Sequence, residues 1–152
     1  GVLGMAGGLT ASANGVDTSP VTRGVWVLEN MLGTPPPPPP DEVPAIESDV
    51  SGATTIRDRL ERHRADATCN VCHRKIDPMG FALEHFDPIG RFREDYREGK
   101  GKKKGPEVDP SGTFASGETY SNFAEFKQVL LQTRSEFLVR HMVETMLAFT
   151  TG

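Results

Sequence analysis

Two cysteines and a histidine stand together in this sequence, in the run Cys69-Asn70-Val71-Cys72-His73. The 152 residues contain no other cysteine, so this pair cannot staple distant parts of a fold. Two thiols at this spacing can each add to a vinyl group of one haem, and the histidine that follows can ligate the iron through an imidazole nitrogen. The motif therefore predicts one covalently attached haem c, with Cys69 and Cys72 as attachment points and His73 as an iron ligand.

Three other uses of the two cysteines stay open. A zinc finger would use His85, which follows Cys72 after twelve residues, but the second histidine that it needs is missing because positions 89–91 are Ile-Gly-Arg. A thioredoxin-like redox pair expects a strand before the motif and a long helix after it. Here a helix is predicted before the motif, and Asp77-Pro78 interrupts soon afterwards. A chance pair of structural cysteines is the third alternative.

The sixth ligand of such an iron is less well defined. In the common pattern a methionine lies on a loop several tens of residues after the motif, but residues 91–120 contain neither Met nor His. We predict Met146, on the last predicted helix, as this ligand. A methionine at helical spacing can equally be core filling. The alternatives are an iron with no sixth ligand or one of four other side chains: Met142, His141, His85 and His63. Met79 is too close to His73 to reach the opposite haem face.

Predicted helices lead into the motif and follow it. Ser19-Pro20 is an N-cap with proline at the first helical position, and Gly33 is a suitable C-cap for that helix. Thr55 has capping-box spacing with Asp58 at the start of a short helix that runs into the motif. Asp77-Pro78 predicts the start of another short helix.

The C-terminal region is predicted to be helical as well. Apolar stripes follow Ser121 and Ser135, each of which is a suitable N-cap. Residues 111–120 predict a small β-hairpin that turns at Ser116-Gly117. A helix before Cys-x-x-Cys-His and a longer helix at the C-terminus follow the element order of a small class I cytochrome c. We therefore predict a mainly α, cytochrome c-like haem domain with a small β-hairpin.

The first third of the chain is predicted to be an extended, Pro-rich arm. Residues 1–17 show no hydrophobic period, and the run Pro35 to Pro40 must adopt stiff polyproline II as a spacer or along a surface. The chain thus divides into residues 1–52, an arm with a short helix and polyproline linker, and residues 53–152, the haem domain. An arm with little core of its own needs a surface to pack against, so we expect homo- or hetero-oligomeric assembly through it.

The composition excludes several classes of partner. The formal net charge is −4, which lacks the basic excess that nucleic-acid binding requires. No apolar run approaches the roughly 18 residues of a membrane span. Residues 1–9 are apolar but lack the charged segment of a signal peptide. We predict neither a nucleic-acid partner nor a membrane span.

Several long stretches, in order, resemble the planctomycete-type cytochrome-like proteins, which are large exported proteins with C-terminal domains of unknown function. The stretches are Thr18 to Pro40, Arg57 to Arg93, Val108 to Tyr120 and Val139 to Gly152. The resemblance implies a periplasmic or extracellular haem-binding protein in which Cys69, Cys72 and His73 occupy the attachment positions. It also matches His63 to a family histidine before the motif. Positions 79, 141 and 142 are often Leu, Cys and Leu in the family, so the resemblance indicates no firm sixth ligand.

These observations predict electron transfer by a mono-haem c-type cytochrome domain that exchanges electrons with redox partner proteins, as part of a larger exported protein or assembly. The alternative is a haem enzyme domain with five-coordinate iron, or a module that feeds electrons to a larger oxidoreductase. By itself the chain is expected to be a carrier rather than a catalyst.

Overall fold

The computed structural model describes residues 1–15, 17–38, 55–98 and 103–152, and these ranges are mainly helical. The prediction of a mainly α protein is confirmed. Within the described ranges, a 3₁₀ helix at Val2–Gly4 precedes five α-helices: α1 (Ala6–Ala11), α2 (Pro20–Asn30), α3 (Ile56–His63), α4 (Ala67–Phe81) and α5 (Phe123–Thr151). The predicted division after residue 52 lies outside the described residues.

Helices α2 and α3 begin where their capping residues predict. The Ser19 hydroxyl accepts a hydrogen bond from the backbone N–H of Thr22 at 3.3 Å. Thr55 and Asp58 form a reciprocal capping box, because each side chain accepts from the backbone N–H of the other residue. After α2 the chain turns at Gly33, whose φ of 61° lies in the left-handed region that favours glycine.

The prediction that residues 1–17 are extended is wrong for the first part of this segment. The 3₁₀ helix and α1 fold back onto the domain and bury Leu3 and Leu9 in its core. Gly8 lies against the ring of Trp26 on α2, and a Cβ atom at this position would collide with that ring. Two isolated leucines among small residues produce no hydrophobic period, which explains why the sequence did not predict these helices.

Helix α4 carries the Cys-x-x-Cys-His motif, and it does not stop at Asp77-Pro78. The prediction of a new helix starting there is wrong, since α4 runs continuously to Phe81 with Pro78 inside it. Pro78 has no backbone N–H, so one intrahelical hydrogen bond is lost, and the helix ends three residues later. The side chain of Asp77 is hydrogen-bonded to His73 within the same helix and does not serve as a helix N-cap.

Helices α2 and α4 cross at close range, with a glycine on each helix at the contact. Gly24 of α2 lies against the backbone carbonyl of Ile76, and Gly80 of α4 lies against the carbonyl of Pro20. A Cβ atom at either glycine would overlap the opposing backbone. This crossing fixes α2 relative to the helix that carries the motif.

A buried ion pair next to the crossing connects α2 to the chain after α4. Arg23 and Glu84 have fully buried side chains, with a guanidinium nitrogen 3.5 Å from a carboxylate oxygen. The guanidinium also donates to three backbone carbonyls, those of Leu83, Phe86 and Asp87. The carboxylate accepts from three more side chains, those of Thr18, Arg93 and Tyr96.

Two small antiparallel pairs of strands follow α4. The first joins β1 (Asp95–Glu98) to β2 (Lys103–Glu107), and the second joins β3 (Gly112–Thr113) to β4 (Thr119–Tyr120). The second pair confirms the predicted hairpin, which turns at Gly117 with φ 105°. Tyr120 packs with Phe114 and Phe126 in the core and donates its hydroxyl hydrogen bond to the carbonyl of Pro78 in α4.

The C-terminal region is one helix, whereas a start at Ser135 was also predicted. Asn122 caps α5, its side chain accepting from the backbone N–H groups of Ala124 and Glu125. Ser135 lies inside the helix, where neither proline nor glycine interrupts it. Among the described residues, no helix has both the length and the apolar character needed to cross a membrane.

Candidate functional site

The Cys-x-x-Cys-His motif is helical from its first residue because Asp66 caps α4 immediately before it. The Asp66 carboxylate accepts from the backbone N–H groups of Thr68, at 2.7 Å, and of Cys69, at 3.4 Å. These hydrogen bonds lower the pKa of Asp66. Within the helix, Cys69, Cys72, His73 and Ile76 recur at intervals of three and four residues, which places them along one face.

That face of α4 borders a cavity of about 580 Å³, within the roughly 300–1,000 Å³ typical of cofactor pockets. Both cysteines are free thiols and partly exposed. The facing wall comes from α2 and from the proline run that follows it, and it is mostly apolar. The lining residues are Val21, Val25, Glu29, Pro36, Pro37, Pro38, His63, Thr68, Cys69, Val71, Cys72, His73 and Ile76.

The imidazole of His73 is held from behind by Asp77, one helical turn further along α4. His73 Nδ1 lies 2.8 Å from Asp77 Oδ1. Because a carboxylate only accepts hydrogen bonds, this contact assigns the proton of a neutral imidazole to Nδ1, which leaves Nε2 with a free lone pair. Asp77 therefore fixes the tautomer in which His73 can act as a ligand through Nε2.

Asp77 is fully buried, and its two oxygens have unequal surroundings. Oδ1 binds His73, whereas Oδ2 has no hydrogen-bond partner among the described residues. The nearest cation to Oδ2 is the Arg64 guanidinium at 3.8 Å, from a side chain that is 29% exposed. This carboxylate is thus a buried acceptor whose short contact is made to the imidazole of the motif.

A second histidine borders the same cavity beside the first. The ring centroids of His63 and His73 are 5.0 Å apart, with an edge-to-face angle of 74°. His63 is the last residue of α3, and only the short turn at 64–66 separates that helix from α4. The structure thus brings His63, one of the alternative iron ligands, next to the motif.

The other candidate sixth ligands do not border this cavity. Met146 and Met142 lie on the outer half of α5, with exposed fractions of 61% and 60%. His141 lies against Gly33, and His85 Nδ1 is bonded to the carbonyl of Arg93 at 2.8 Å. Met79 is buried in the core. The assignment of Met146 as an iron ligand stays a prediction, and the structure does not bring this residue to the motif.

Sequence reasoning missed two contributors to the site. Asp77 was interpreted as an N-cap, although its spacing of four residues from His73 is the spacing at which helical side chains meet. The proline run was interpreted as a spacer or a surface segment, whereas Pro36, Pro37 and Pro38 form part of the cavity wall. A polyproline segment has no hydrophobic period that would reveal which of its faces is buried.

The arrangement presents two thiols and one imidazole nitrogen to a single apolar cavity. These groups can form covalent bonds to a ligand inside the cavity and coordinate a metal that the ligand carries. Within the described part of the chain, no cluster of three or more His, Cys, Asp or Glu side chains is arranged to hold a bare metal ion.

Comparison with known protein families matches residues 1–96, which include the motif, the four helices α1 to α4 and the start of β1, to the PSCyt3 family, described as a protein of unknown function (DUF1588). Comparisons with curated proteins and with solved structures found no match. Because the family match covers well over half of the 152 residues, this chain belongs to the PSCyt3 family of planctomycete-type cytochrome-associated domains.

Proposed function

We propose that this domain carries one covalently attached haem c and transfers electrons. The observation that supports the proposal is the single cavity shared by Cys69, Cys72 and His73. When bound, haem supplies a one-electron redox couple that no amino-acid side chain of this cavity offers. A cytochrome c-like organisation, in which the motif helix and a crossing helix shelter the haem, is part of the same proposal.

The thiols of Cys69 and Cys72 would attach the haem. Each thiol would add across a vinyl group, with the sulfur bonding to the inner carbon and the hydrogen going to the outer carbon, so the addition would balance without an oxidant. Both thiols lie on the same face of α4, one turn apart, and both are accessible from the cavity. Two neighbouring attachment points on a rigid helix hold the macrocycle in one orientation.

The apolar wall would exclude water from the macrocycle. Val21 and Val25 on α2, Ile76 on α4 and three prolines line the cavity. A low-dielectric surrounding disfavours the added positive charge of ferric iron, so this wall would raise the reduction potential of a bound haem relative to an exposed one. The apolar wall and the basicity of His73 would then have opposite effects on the reduction potential.

A second function is supported by the composition of the cavity lining. Among the described residues that line the cavity, His63 is the one side chain outside the motif with a nitrogen or sulfur donor. A haem held here without coordination by His63 would keep an open iron site for small molecules such as peroxide or carbon monoxide. A catalytic role, alone or within a larger oxidoreductase, is therefore the alternative function. Periplasmic or extracellular location, redox partner proteins and assembly through the N-terminal segment are further parts of the proposal.

The test is an absorption spectrum of the purified protein, oxidised and dithionite-reduced, after acid-acetone extraction. We expect sharp reduced α and β bands that survive extraction, and their loss in the double variant Cys69→Ala/Cys72→Ala. Addition of carbon monoxide then separates the two functions. An unchanged reduced spectrum supports electron transfer, whereas a rapid shift of the Soret band supports the five-coordinate alternative. A protein that remains colourless when produced with haem-attachment machinery contradicts the proposal.

A further inference from the structure

We propose that Asp77 is a positioning residue that makes His73 a strongly donating iron ligand and so biases the site towards ferric iron. This inference rests on the proposed haem site and adds to it the residue that tunes the iron. Its basis is the 2.8 Å hydrogen bond between His73 Nδ1 and Asp77 Oδ1, made to a carboxylate with 0% exposure.

A buried carboxylate is a stronger hydrogen-bond acceptor than a backbone carbonyl or water because it carries a full negative charge. A bond from Nδ1–H to such a group shifts electron density through the ring to Nε2 and raises the basicity of that nitrogen. The more basic nitrogen stabilises the higher positive charge of ferric iron over ferrous iron. The reduction potential therefore falls as this hydrogen bond strengthens.

The burial of Asp77 is costly and calls for an explanation. A buried ionised carboxylate with one hydrogen bond is unfavourable unless a function or an ion pair retains it. Among the described residues, the cation that pairs with it besides His73 is Arg64, which lies 3.8 Å from the other oxygen and makes no hydrogen bond with it. Capping does not account for the residue, since α4 continues through it and the side chain binds within the helix. The contact that does account for the buried carboxylate of Asp77 is its hydrogen bond to His73, which positions and polarises that imidazole.

His63 and Arg64 act on the same pair from its two ends. His63 packs its ring against His73 and limits rotation of that imidazole. Arg64 draws charge away from His73 through Oδ2 and so weakens the donation. Asp77 and Arg64 thus have opposite effects on the iron, which makes the inference testable by sign as well as by size.

The first test compares midpoint potentials, measured by spectroelectrochemistry on the full chain, for the wild type and three variants. Asp77→Asn should raise the potential, and Arg64→Gln should lower it. The matched control is Glu29→Gln, which removes a carboxylate that borders the same cavity without contacting His73. A shift in Asp77→Asn no larger than that in Glu29→Gln would show that general electrostatics suffices, and it would overturn the inference.

The second test reads the hydrogen bond itself by ¹H–¹⁵N correlation of the histidine side chains in the same proteins, in the reduced state. In the wild type we expect a strongly deshielded proton on His73 Nδ1, which moves upfield in Asp77→Asn and stays in place in Glu29→Gln. Its absence in the wild type overturns the inference even if a variant fails to fold. A colourless protein that retains this proton would instead contradict the proposed haem function and leave the Asp77–His73 pair established.

Discussion

Helix α4 and the C-terminal half of α5 both carry side chains that could bind a metal, but the two regions differ in how their side chains are buried. At and just after the end of α4, two buried carboxylates each contact a basic side chain: Asp77 binds His73, and Glu84 binds Arg23. Beyond residue 130, α5 carries large apolar side chains that face solvent, and Phe149 is 90% exposed. Helical spacing therefore predicts a helix in both regions, but it does not predict which residues the fold brings to the motif.

The first prediction concerns the buried ion pair between Arg23 and Glu84. Arg23→Met removes the guanidinium and its hydrogen bonds to three carbonyls, and it leaves Glu84 buried with Arg93 as its remaining charged partner within the described part of the chain. We expect a loss of about 3–5 kcal/mol in the free energy of unfolding at neutral pH, measured by urea denaturation. The double variant Arg23→Met/Glu84→Gln should recover part of this loss because no uncompensated carboxylate remains. An Arg23→Met protein as stable as the wild type would contradict the role assigned to the pair.

The same variant should show an altered pH dependence. Burial raises the pKa of Glu84 above its ordinary value, against the opposing effect of Arg93 and Arg23. A carboxyl group with a raised folded-state pKa contributes stability that is fully present below its unfolded-state pKa of roughly 4.3 and is lost as pH rises through the folded-state value. Removing Arg23 raises that pKa further. The destabilisation by Arg23→Met should therefore be smaller at pH 4 than at pH 7. When Arg23→Met is made in a protein that already carries Glu84→Gln, this difference between the two pH values should disappear. A pH-independent loss would show that Glu84 is not the group involved.

The next prediction tests the close crossing of α2 and α4. In Gly80→Ala, the added Cβ overlaps the carbonyl of Pro20, so the two helices must separate. We expect a loss of about 3 kcal/mol, at the upper end for overpacking, because the obstructing group is backbone. The matched control is Gly7→Ala on α1, where nothing lies within 4 Å of the new atom and a gain of about 0.5–1 kcal/mol is expected. Equal effects in both variants, measured by thermal and urea unfolding, would contradict the close approach.

These contrasts explain how much of the molecule could be predicted from its sequence. The caps at Ser19 and Thr55 and the turn at Gly117 are local, since each depends on residues a few positions apart, and the structure confirms them. Asp77-Pro78 is local as well, yet the prediction failed there because the tertiary contacts of α4 and the hydrogen bond to His73 outweigh the usual preference of this pair for a helix start.

The cavity depends on contacts that are distant in the sequence. The motif residues were predicted from their types and spacing, and the structure places all three on one cavity. The opposite wall comes from residues 21–38, about forty positions earlier, and it exists because Gly24 and Gly80 allow two backbones to meet. No periodicity in a single segment reports that meeting, so Val21, Val25 and the prolines could not be assigned to the site in advance.

The smallest effect is expected for a substitution at Met146, in the exposed C-terminal half of α5. Because this side chain is 61% exposed and lies away from the cavity lining, Met146→Leu should change the free energy of unfolding by no more than about 0.5 kcal/mol. In the haem-bound protein, the oxidised spectrum near the Met–iron charge-transfer band should also be unchanged, whereas His63→Ala alters the immediate surroundings of His73 and should change the visible spectrum. Met142→Leu, one turn away with similar exposure, is the matched control. Loss of a charge-transfer band in Met146→Leu alone would reverse the comparison, because it would require the outer half of α5 to fold over the motif and supply the sixth ligand.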